Sequence, residues 1–522
     1  MPHNPYLAVE YILVKVKAPS ETNTEDFSAF SLLQQQLKDQ YCSVFEDDKA
    51  ARVVIVIPSL TLDQQILSKI KGHFYYEERM LCMLMLLKMP ATRLTFVTSL
   101  PISRIIVDYY LHMLPGITSH HAGQRLTMLS CYDAGSVPLT DKILRRPRLI
   151  NRIRESIKGD PAHLVFFNVT ESEKALALRL GVPVYGCDPA LNHLGTKSGS
   201  RQLFRQCGVP LPIGFEDLRD ENDIISALYR LKTQNPGLQK AVIKMENGFS
   251  GDGNAIFSYK NAPDDQDELW QWLFENLKNN LKIVARKLSF AKFMNKFSKT
   301  GGIAEEFITG TKVASPSVQV RIDPCGGITI ISTHDQVLGG EGDQVYLGAT
   351  FPANPEYASE IAMISLTLAE KLRDLGVLGR FGIDFMSVRD EAGWKHYAIE
   401  INLRKGGTTH PFLMLQFLTN GCYNADEGSY ALSDGTHRYY YATDNLQKES
   451  YKGLTPLDLI DIAMYHGLHY DHTKEEGVMF HLISALSQFG KLGLLSIGKT
   501  PENARQYYKQ VVEILDKETS VK

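Results

Sequence analysis

The sequence predicts two fold classes in one chain, a parallel α/β layer over residues 1 to about 195 and an α+β arrangement after it. Three observations carry this. Short apolar runs rich in β-branched residues, RVVIVIP (52–58), RLTFVTS (93–99), AHLVFFNV (162–169) and GVPVYG (181–186), alternate with stretches of helical periodicity, as in a doubly wound parallel sheet. From TKSGSRQLFRQCGVPLP onward the strands come in pairs, QKAVIKM and then GNAIFSY across a glycine-rich loop, which is the grammar of hairpins. Finally, 522 residues exceed the length at which one core keeps growing, so three or four domains are expected.

Composition narrows the partners. With 44% hydrophobic and 22% charged residues the chain reads as a globular protein, and a net charge of −3 gives no global attraction to nucleic acid or an anionic membrane. The 7 cysteines, at 42, 82, 131, 187, 207, 325 and 422, are scattered without a C-x-x-C pair, so neither a disulfide framework nor a zinc site is predicted and a reducing cytoplasm fits. The N-terminal MPHNPYLAVEYILVKVKAP has no cationic lead-in and carries Glu10, unlike a secretory signal. The apolar run Met80 to Leu87 is far shorter than the roughly 18 residues that span a bilayer; it reads as a buried helix, with Met80, Met83, Met85 and Met89 as core filler.

Further along, DELWQWLFENLKNN and ANPEYASEIAMISLTLAEKLRDLG read as amphipathic helices, the second ending on Gly376. The C-terminal PLDLIDIAMYHG, GVMFHLISALSQFG and PENARQYYKQVVEILDKE read as three helices, the last capped by Thr500 with Pro501 in its first turn.

The segment HYAIEINLRKGGTTHP, His396 to Pro411, places Glu400 and Asn402 two residues apart on one side of a strand whose other side is apolar. With the preceding GRFGIDFMSV it forms a predicted hairpin through RDEAGW. A turn centred near Ala392 sets Asp384 opposite Glu400, with Asn402 on the same face. Two facing carboxylates repel unless a cation sits between them, and three oxygen donors suit Mg²⁺ with phosphates completing its shell. The plainer alternative is a solvated, charged sheet face.

Lys244 sits in AVIKM directly before ENGFSGDGN, where Gly248, Gly251 and Gly253 let backbone N–H groups approach phosphate oxygens. Later GGIAEEFITG offers an apolar strand with Glu305 and Glu306 for an adenine edge. The segment GLLSIGKT, Gly493 to Thr500, formally satisfies a P-loop pattern, but a helical run precedes it and LLSI is itself strand-like, so it reads as structural. His466, His469 and His472 in HGLHYDH, and the basic stripe from Arg145 to Lys158, likewise read as surface or core features.

Taken in order, Lys197, Lys244 with GFSGDGN, AEEFITG, GRFGIDF and AIEINLR resemble the ATP-grasp superfamily over residues 196 to about 415. The forms EINLRKGGTTHPF and THDQVLGGEGDQVYLGATFP and the C-terminal segment look like peptide ligases of the pheganomycin type. The resemblance implies an N-terminal pre-ATP-grasp α/β domain (1–195), a small subdomain with a phosphate lid (196–308), a large subdomain with the Mg²⁺ site (309–425) and a C-terminal helical unit (426–522). It further implies that Lys197 and Lys244 hold the ATP phosphates under a lid containing Ser250, Gly251 and Gly253, and that Glu305, Glu306 and Ile308 line the adenine site. Asp384, Glu400 and Asn402 would bind Mg²⁺, and Arg380 and Arg404 would face the transferring phosphate and the oxyanion. Where many members place a ribose-binding glutamate, the simplest register gives Lys312, which is left out of the site.

The implied activity is an ATP-dependent carboxylate–amine ligase that joins an amino-acid carboxylate to the amine of an amino acid or peptide through an acyl phosphate. The alternatives are a small-molecule kinase using the same cleft and a regulatory protein that binds ATP without turnover. The sequence leaves the oligomeric state open, a homo-oligomer included.

Overall fold

The computed structural model describes residues 29–45, 47, 49–62, 64–68, 70–246, 253–285, 288–339 and 345–520. The N-terminal stretch bearing Glu10 and the lid residues Ser250 and Gly251 lie outside them. Among the described residues no helix is long and apolar enough to cross a membrane.

The first sheet is parallel, ordered β3-β2-β1-β4, from β1 (Arg52–Ile57), β2 (Thr92–Thr98), β3 (Leu126–Ser130) and β4 (Ala162–Phe166). Central β1 is buried on both faces: Val54 and Val56 point into one apolar cluster, Val53, Ile55 and Ile57 into another. The run GVPVYG adds only a single bridge, Val184 to Leu164, because Pro183 has no N–H to extend the ladder. The half-buried edge strand β3 was not predicted from the sequence.

The 3₁₀ helix His73–Lys88 carries MLCMLMLL and buries Glu77 through Leu87. It is apolar all round because it lies between two layers. One side covers the parallel sheet; the other packs on the wholly buried helix Thr409–Thr419 and on C-terminal residues such as Tyr440 and Leu494, all in one continuous core.

A second, antiparallel sheet, ordered β5-β9-β6-β7-β8, comprises β5 (Gly214–Leu218), β6 (Lys240–Met245), β7 (Asn254–Ser258), β8 (Leu281–Ile283) and β9 (Gly302–Glu306). Alternation in β6 sends Ala241, Ile243 and Met245 into the core beneath helices Glu221–Gln234, Gln266–Asn280 and Phe290–Thr300. Val242 and Lys244 face the opposite way, toward a cleft.

The third sheet contains β10 (Lys312–Ala314), β11 (Pro316–Ile322), β12 (Ile328–Gly339), β13 (Val345–Phe351), β14 (Gly379–Asp390) and β15 (Gly393–Asn402). A small separate hairpin, β16 (Cys422–Asn424) with β17 (Ser429–Ala431), precedes its last three strands, β18 (Tyr439–Gln447), β19 (Gly477–His481) and β20 (Lys491–Gly498). The order is β10-β14-β11-β12-β13-β18-β20-β19, with β15 on the other edge of β14.

The C-terminal region therefore mixes strands with its helices. The run GVMFHLISALSQFG, read above as one helix, divides into β19 and the short helix Ser484–Phe489, since its apolar residues fill both faces of a buried strand. The segment GLLSIGKT is buried strand β20 followed by Thr500, whose hydroxyl accepts from Asn503 N at 3.1 Å to cap the last helix, Pro501–Ser520. Of the described cysteines, Cys82, Cys131, Cys187 and Cys207 are free thiols and Cys325 is disulfide-bonded, a link the scattered spacing did not predict.

Candidate active site

The hairpin β14–β15 sets the site's geometry by a one-residue irregularity. Near its turn the ladder pairs Arg389 with Trp394 and Phe385 with Ala398; beyond that the register shifts, and Asp384 pairs with Glu400 and Gly382 with Asn402. Ile399 is the extra residue of a β-bulge, the device that re-aims a strand. Without it Asp384 would face Ile399, and Glu400 would turn toward the core. With it, Ala398 and Ile401 stay in the core beside Phe381, Ile383 and Phe385, while Asp384, Glu400 and Asn402 share the opposite face.

That face is one wall of a cleft of about 350 Å³ between the second and third sheets. The other wall carries Lys244, Glu305, Glu306 and Ile308. Lys197, at the start of helix Lys197–Gln206, reaches in beside them, and its Nζ lies 2.9 Å from Glu400 Oε1. Thr196 caps that helix, accepting from Gly199 N at 3.1 Å, which fixes where Lys197 emerges.

Glu305 is almost fully buried and binds two cations: Lys244 Nζ at one oxygen and Arg201 Nη1, at 2.7 Å, at the other. It holds Lys244 in place. Glu306 turns its Oε1 to accept from Ile213 N at 2.8 Å, and Ile308 lines the cleft next to Phe307.

Asp384 accepts from Asn402 Nδ2 and Gln336 Nε2, each at 2.9 Å. Burial, and then the charge of Glu400, push its carboxyl up to about 7. Burial also pushes Glu400 upward, but Lys197, Arg404 and Lys244 outweigh it and hold that carboxyl below its ordinary range. Arg404 is half-buried in the cleft wall, and its charge is felt by both carboxylates.

Arg380 lies on the same strand but is not among the described residues lining the cleft; its field falls on Cys82, Tyr185 and Lys405. Lys405 ties the segment after β15 to the parallel sheet, its Nζ donating to Phe166 O at 2.6 Å. Gly253 ends the glycine loop by accepting from Met245 N at 3.0 Å, and its neighbour Asn254 lines the cleft. Lys312 lies outside, with Nζ 5.3 Å from the centre of the Trp394 ring. The histidines of HGLHYDH do not converge: His466 pairs with Glu518 at 3.0 Å, while His469 packs edge-on against Tyr109.

Sequence reasoning missed the far end of the cleft, where Arg79, Tyr76, Tyr346, Asp444 and Asn445 gather. Arg79 Nη1 binds Asp444 Oδ2 at 3.2 Å, with its guanidinium 4.6 Å from the Phe167 ring centre and 4.9 Å from that of Tyr76. Arg79 sits within a helix otherwise read as core, and nothing adjacent in sequence marked it.

Two facing sheets with lysines on one side and a carboxylate hairpin on the other define a nucleotide-grasping architecture. Residues 189–426 match the family described as IQCH-like, ATP-grasp, and residues 458–511 match the PGM1 C-terminal domain. The ATP-grasp match between residues 189 and 426 thus spans the second sheet and the hairpin of the third. It is 29% identical over 471 residues to the L-propargylglycine–L-glutamate ligase of Streptantibioticus cattleyicolor, covering 88% of this chain and 93% of the relative. It is 21% identical over 519 residues to IQ motif-containing protein H of Danio rerio, covering 90% of this chain but only 49% of that protein.

Among solved structures, it is similar to an N5-carboxyaminoimidazole ribonucleotide synthetase in its ADP complex (TM-score 0.51, 11% identity, 89% of this chain and 97% of the other). A second is the biotin carboxylase domain of the Hydrogenobacter thermophilus 2-oxoglutarate carboxylase (TM-score 0.51, 15% identity, 88% and 89%). At such identities these likenesses establish the fold.

Proposed function

We propose that the chain is an ATP-dependent carboxylate–amine ligase that forms an amide bond through an acyl phosphate, joining an amino-acid carboxylate to the amine of an amino acid or peptide. The observation that carries this is the cleft itself, which sets Lys197, Lys244 and Arg404 around the facing oxygens of Asp384, Glu400 and Asn402. The ligase relative, matched over most of both chains, supports the same reaction class.

The donor set of the hairpin fits Mg²⁺: two carboxylates and an amide oxygen, all hard, with Asn402 and Gln336 already fixing Asp384 by N–H bonds. Asp384, Glu400 and Asn402 would hold the ion, which when bound supplies charge neutralisation at the phosphate oxygens.

A substrate carboxylate oxygen attacks the γ-phosphorus of ATP, the bond to the bridging oxygen breaks, and ADP departs. Lys197 and Lys244 lie where they neutralise phosphate charge, Lys244 being held by Glu305 and Arg201. Arg404 faces the group in transfer. A neutral amine then attacks the acyl carbon; phosphate leaves, and the amine's surplus proton goes with it. No protein nucleophile takes part. A preorganised donor of this kind is typically worth about 3–4 kcal/mol of barrier. Ile308, Phe307 and Glu306 offer an edge for adenine, and the glycine loop before Gly253 would cover the phosphates.

Hydroxylamine trapping tests the reading. With Mg²⁺ and ATP, a panel of amino acids should yield a hydroxamate for the right acid, and adding short peptides should release phosphate with a condensed product visible by mass. A stable phosphorylated product that needs no amine would show a kinase instead, and ATP binding with no turnover across the panel would show a regulatory protein.

A further inference from the structure

Behind the cleft wall formed by Arg79 and Asp444, three ligand-type atoms meet from three distant parts of the chain. His410 lies in the first turn of helix Thr409–Thr419, Asp444 in β18, and His481 at the end of β19. The Nε2 atoms of His410 and His481 are 3.0 Å apart. Asp444 Oδ1 lies 2.6 Å from His481 Nε2 and 3.2 Å from His410 Nε2. All three side chains are more than nine-tenths buried, at 6, 9 and 6% exposure for His410, Asp444 and His481. The rings meet edge to face at 73°, so their nitrogens converge without stacking.

Hydrogen bonding alone serves this triangle poorly. A neutral imidazole has a single N–H. With protons on both Nε2 atoms, both donate to the one Asp444 oxygen while the two N–H groups crowd each other at 3.0 Å; with the proton removed from either, its lone pair faces the Asp444 carboxylate. Each arrangement keeps one repulsive contact beside its hydrogen bonds, in a place that water does not reach. A cation at the centre accepts all three lone pairs at once.

The donor set selects the kind of cation. Two imidazoles and one carboxylate suit Zn²⁺ and its first-row neighbours, whereas Mg²⁺ prefers oxygen throughout. In a tetrahedral site with bonds near 2.0–2.1 Å, ligand atoms sit roughly 3.3 Å apart. Two edges of the triangle are within a few tenths of an ångström of that, and loading would open the His481–Asp444 edge. The Arg79 contact on the outer Asp444 oxygen is of the kind that orients a ligating carboxylate.

A separate feature makes room for the cluster. Gly493, in β20, pairs directly with His481, and a Cβ added there would lie 2.1 Å from His481 Cδ2 and 2.2 Å from its Nε2. The imidazole lies across the neighbouring strand where only glycine admits it.

We propose that His410, Asp444 and His481 bind a divalent transition-metal ion of the Zn²⁺ class, at a site distinct from the oxygen site of the β14–β15 hairpin. The ion would rivet three elements that meet behind the cleft's far end, one of them the helix that follows Arg404 by a few residues. The inference rests on the His–Asp–His geometry and holds whether or not the ligase reading does.

The test uses the metal-free full-length chain, titrated with Co²⁺ in excess Mg²⁺ so that the oxygen site is occupied. One equivalent should bind with a visible ligand-field band of a four-coordinate nitrogen–oxygen site. Zn²⁺ should displace it and raise the thermal midpoint. His410→Gln and His481→Gln should each weaken Co²⁺ binding by at least about 100-fold, beyond the 10–100-fold typical of outer contacts. Gly493→Ala, which keeps all three ligand residues but pushes on the His481 ring, should weaken it too.

Glu400→Gln should leave Co²⁺ binding unchanged even where it stops turnover, separating this site from the hairpin's. Absence of saturable Co²⁺ binding by the folded wild-type chain overturns the proposal, as does undiminished affinity in both folded histidine variants. If those variants do not fold, the wild-type band and Gly493→Ala decide alone.

Discussion

The two ends of the cleft assemble buried charge in opposite ways. At the hairpin end Asp384, Glu400 and Asn402 come from one contiguous segment, aligned by strand alternation and one bulge residue. At the far end and just behind it Arg79, His410, Asp444 and His481 come from four segments spread over most of the chain, brought together by the shared core between the first and third sheets. The hairpin end places two carboxylates side by side and relies on cations from other elements; the far end gives one carboxylate three nitrogen partners. A site built by local geometry tolerates changes elsewhere, whereas a site built by packing depends on every layer it joins.

The sharpest contrast concerns Glu305, which bridges Lys244 and Arg201 near the hairpin end. Removing one member of a buried ion network leaves charges uncompensated and typically costs about 3–5 kcal/mol. Glu305→Ala should lower the unfolding free energy by that amount, read by urea denaturation. Replacing Arg201 and Glu305 together by Met and Leu should recover part of it. A loss under about 1 kcal/mol would show that water reaches the cluster and that this end is less tightly built than its burial indicates.

Next in size, Glu400→Gln should cut the rate of phosphate release by about 10²–10³ while leaving the fold intact. It removes a proposed Mg²⁺ donor and the partner of Lys197 in one step, yet keeps the side-chain shape. Asp384→Asn should do the same. Unchanged turnover in either would break the assignment of the hairpin as the chemical end of the cleft.

These predictions also mark what was legible in sequence. The pairing of Asp384 with Glu400 followed from a turn centred near Ala392, although the structure reaches it by another route: the ladder near the turn is offset by one residue and Ile399 restores it. Lys244 was legible because it precedes a glycine-rich loop, and helix Ala358–Asp374 because its apolar spacing is periodic. Arg79 was not, because a helix buried on all sides has no polar face to set a charged residue apart. The strand β19 was read as helix because a fully buried run shows no alternation, and His481 and Asp444 carry meaning only once β18, β20 and β19 lie side by side.

Buried histidines outside both ends give a baseline for pH. His163 and His334 are fully enclosed, and burial pushes each imidazole down to about 3. Between pH 6.5 and 3 the unfolded chain binds protons at these positions that the folded chain does not. The stability is therefore fully present above pH 6.5 and is lost as pH falls through that window. One such histidine is worth about 2 kcal/mol at pH 5. His163→Leu should narrow the difference in unfolding free energy between pH 7 and pH 5 by about that much. An unaltered difference would mean that acid sensitivity originates elsewhere, at His334 or at the ends of the cleft compared above.

The smallest effect is expected at Lys312, and it bears on where the nucleotide lies. A simple register places this residue where many ATP-grasp proteins hold the ribose, yet β10 pairs Lys312 with Arg389 on the outer part of β14, and its ammonium rests over Trp394 rather than in the cleft. Glu306 and Ile308 line the cleft itself, a few residues earlier in the chain. The ribose should therefore be met before the chain reaches Lys312. Lys312→Ala should change the KM for ATP by less than about twofold, because an exposed cation over an indole contributes about 0.5–1 kcal/mol to local packing and nothing to a ligand it does not touch. A tenfold rise in KM would show that β10 swings inward on nucleotide binding, and would move the adenosine pocket toward the outer end of the β14–β15 hairpin.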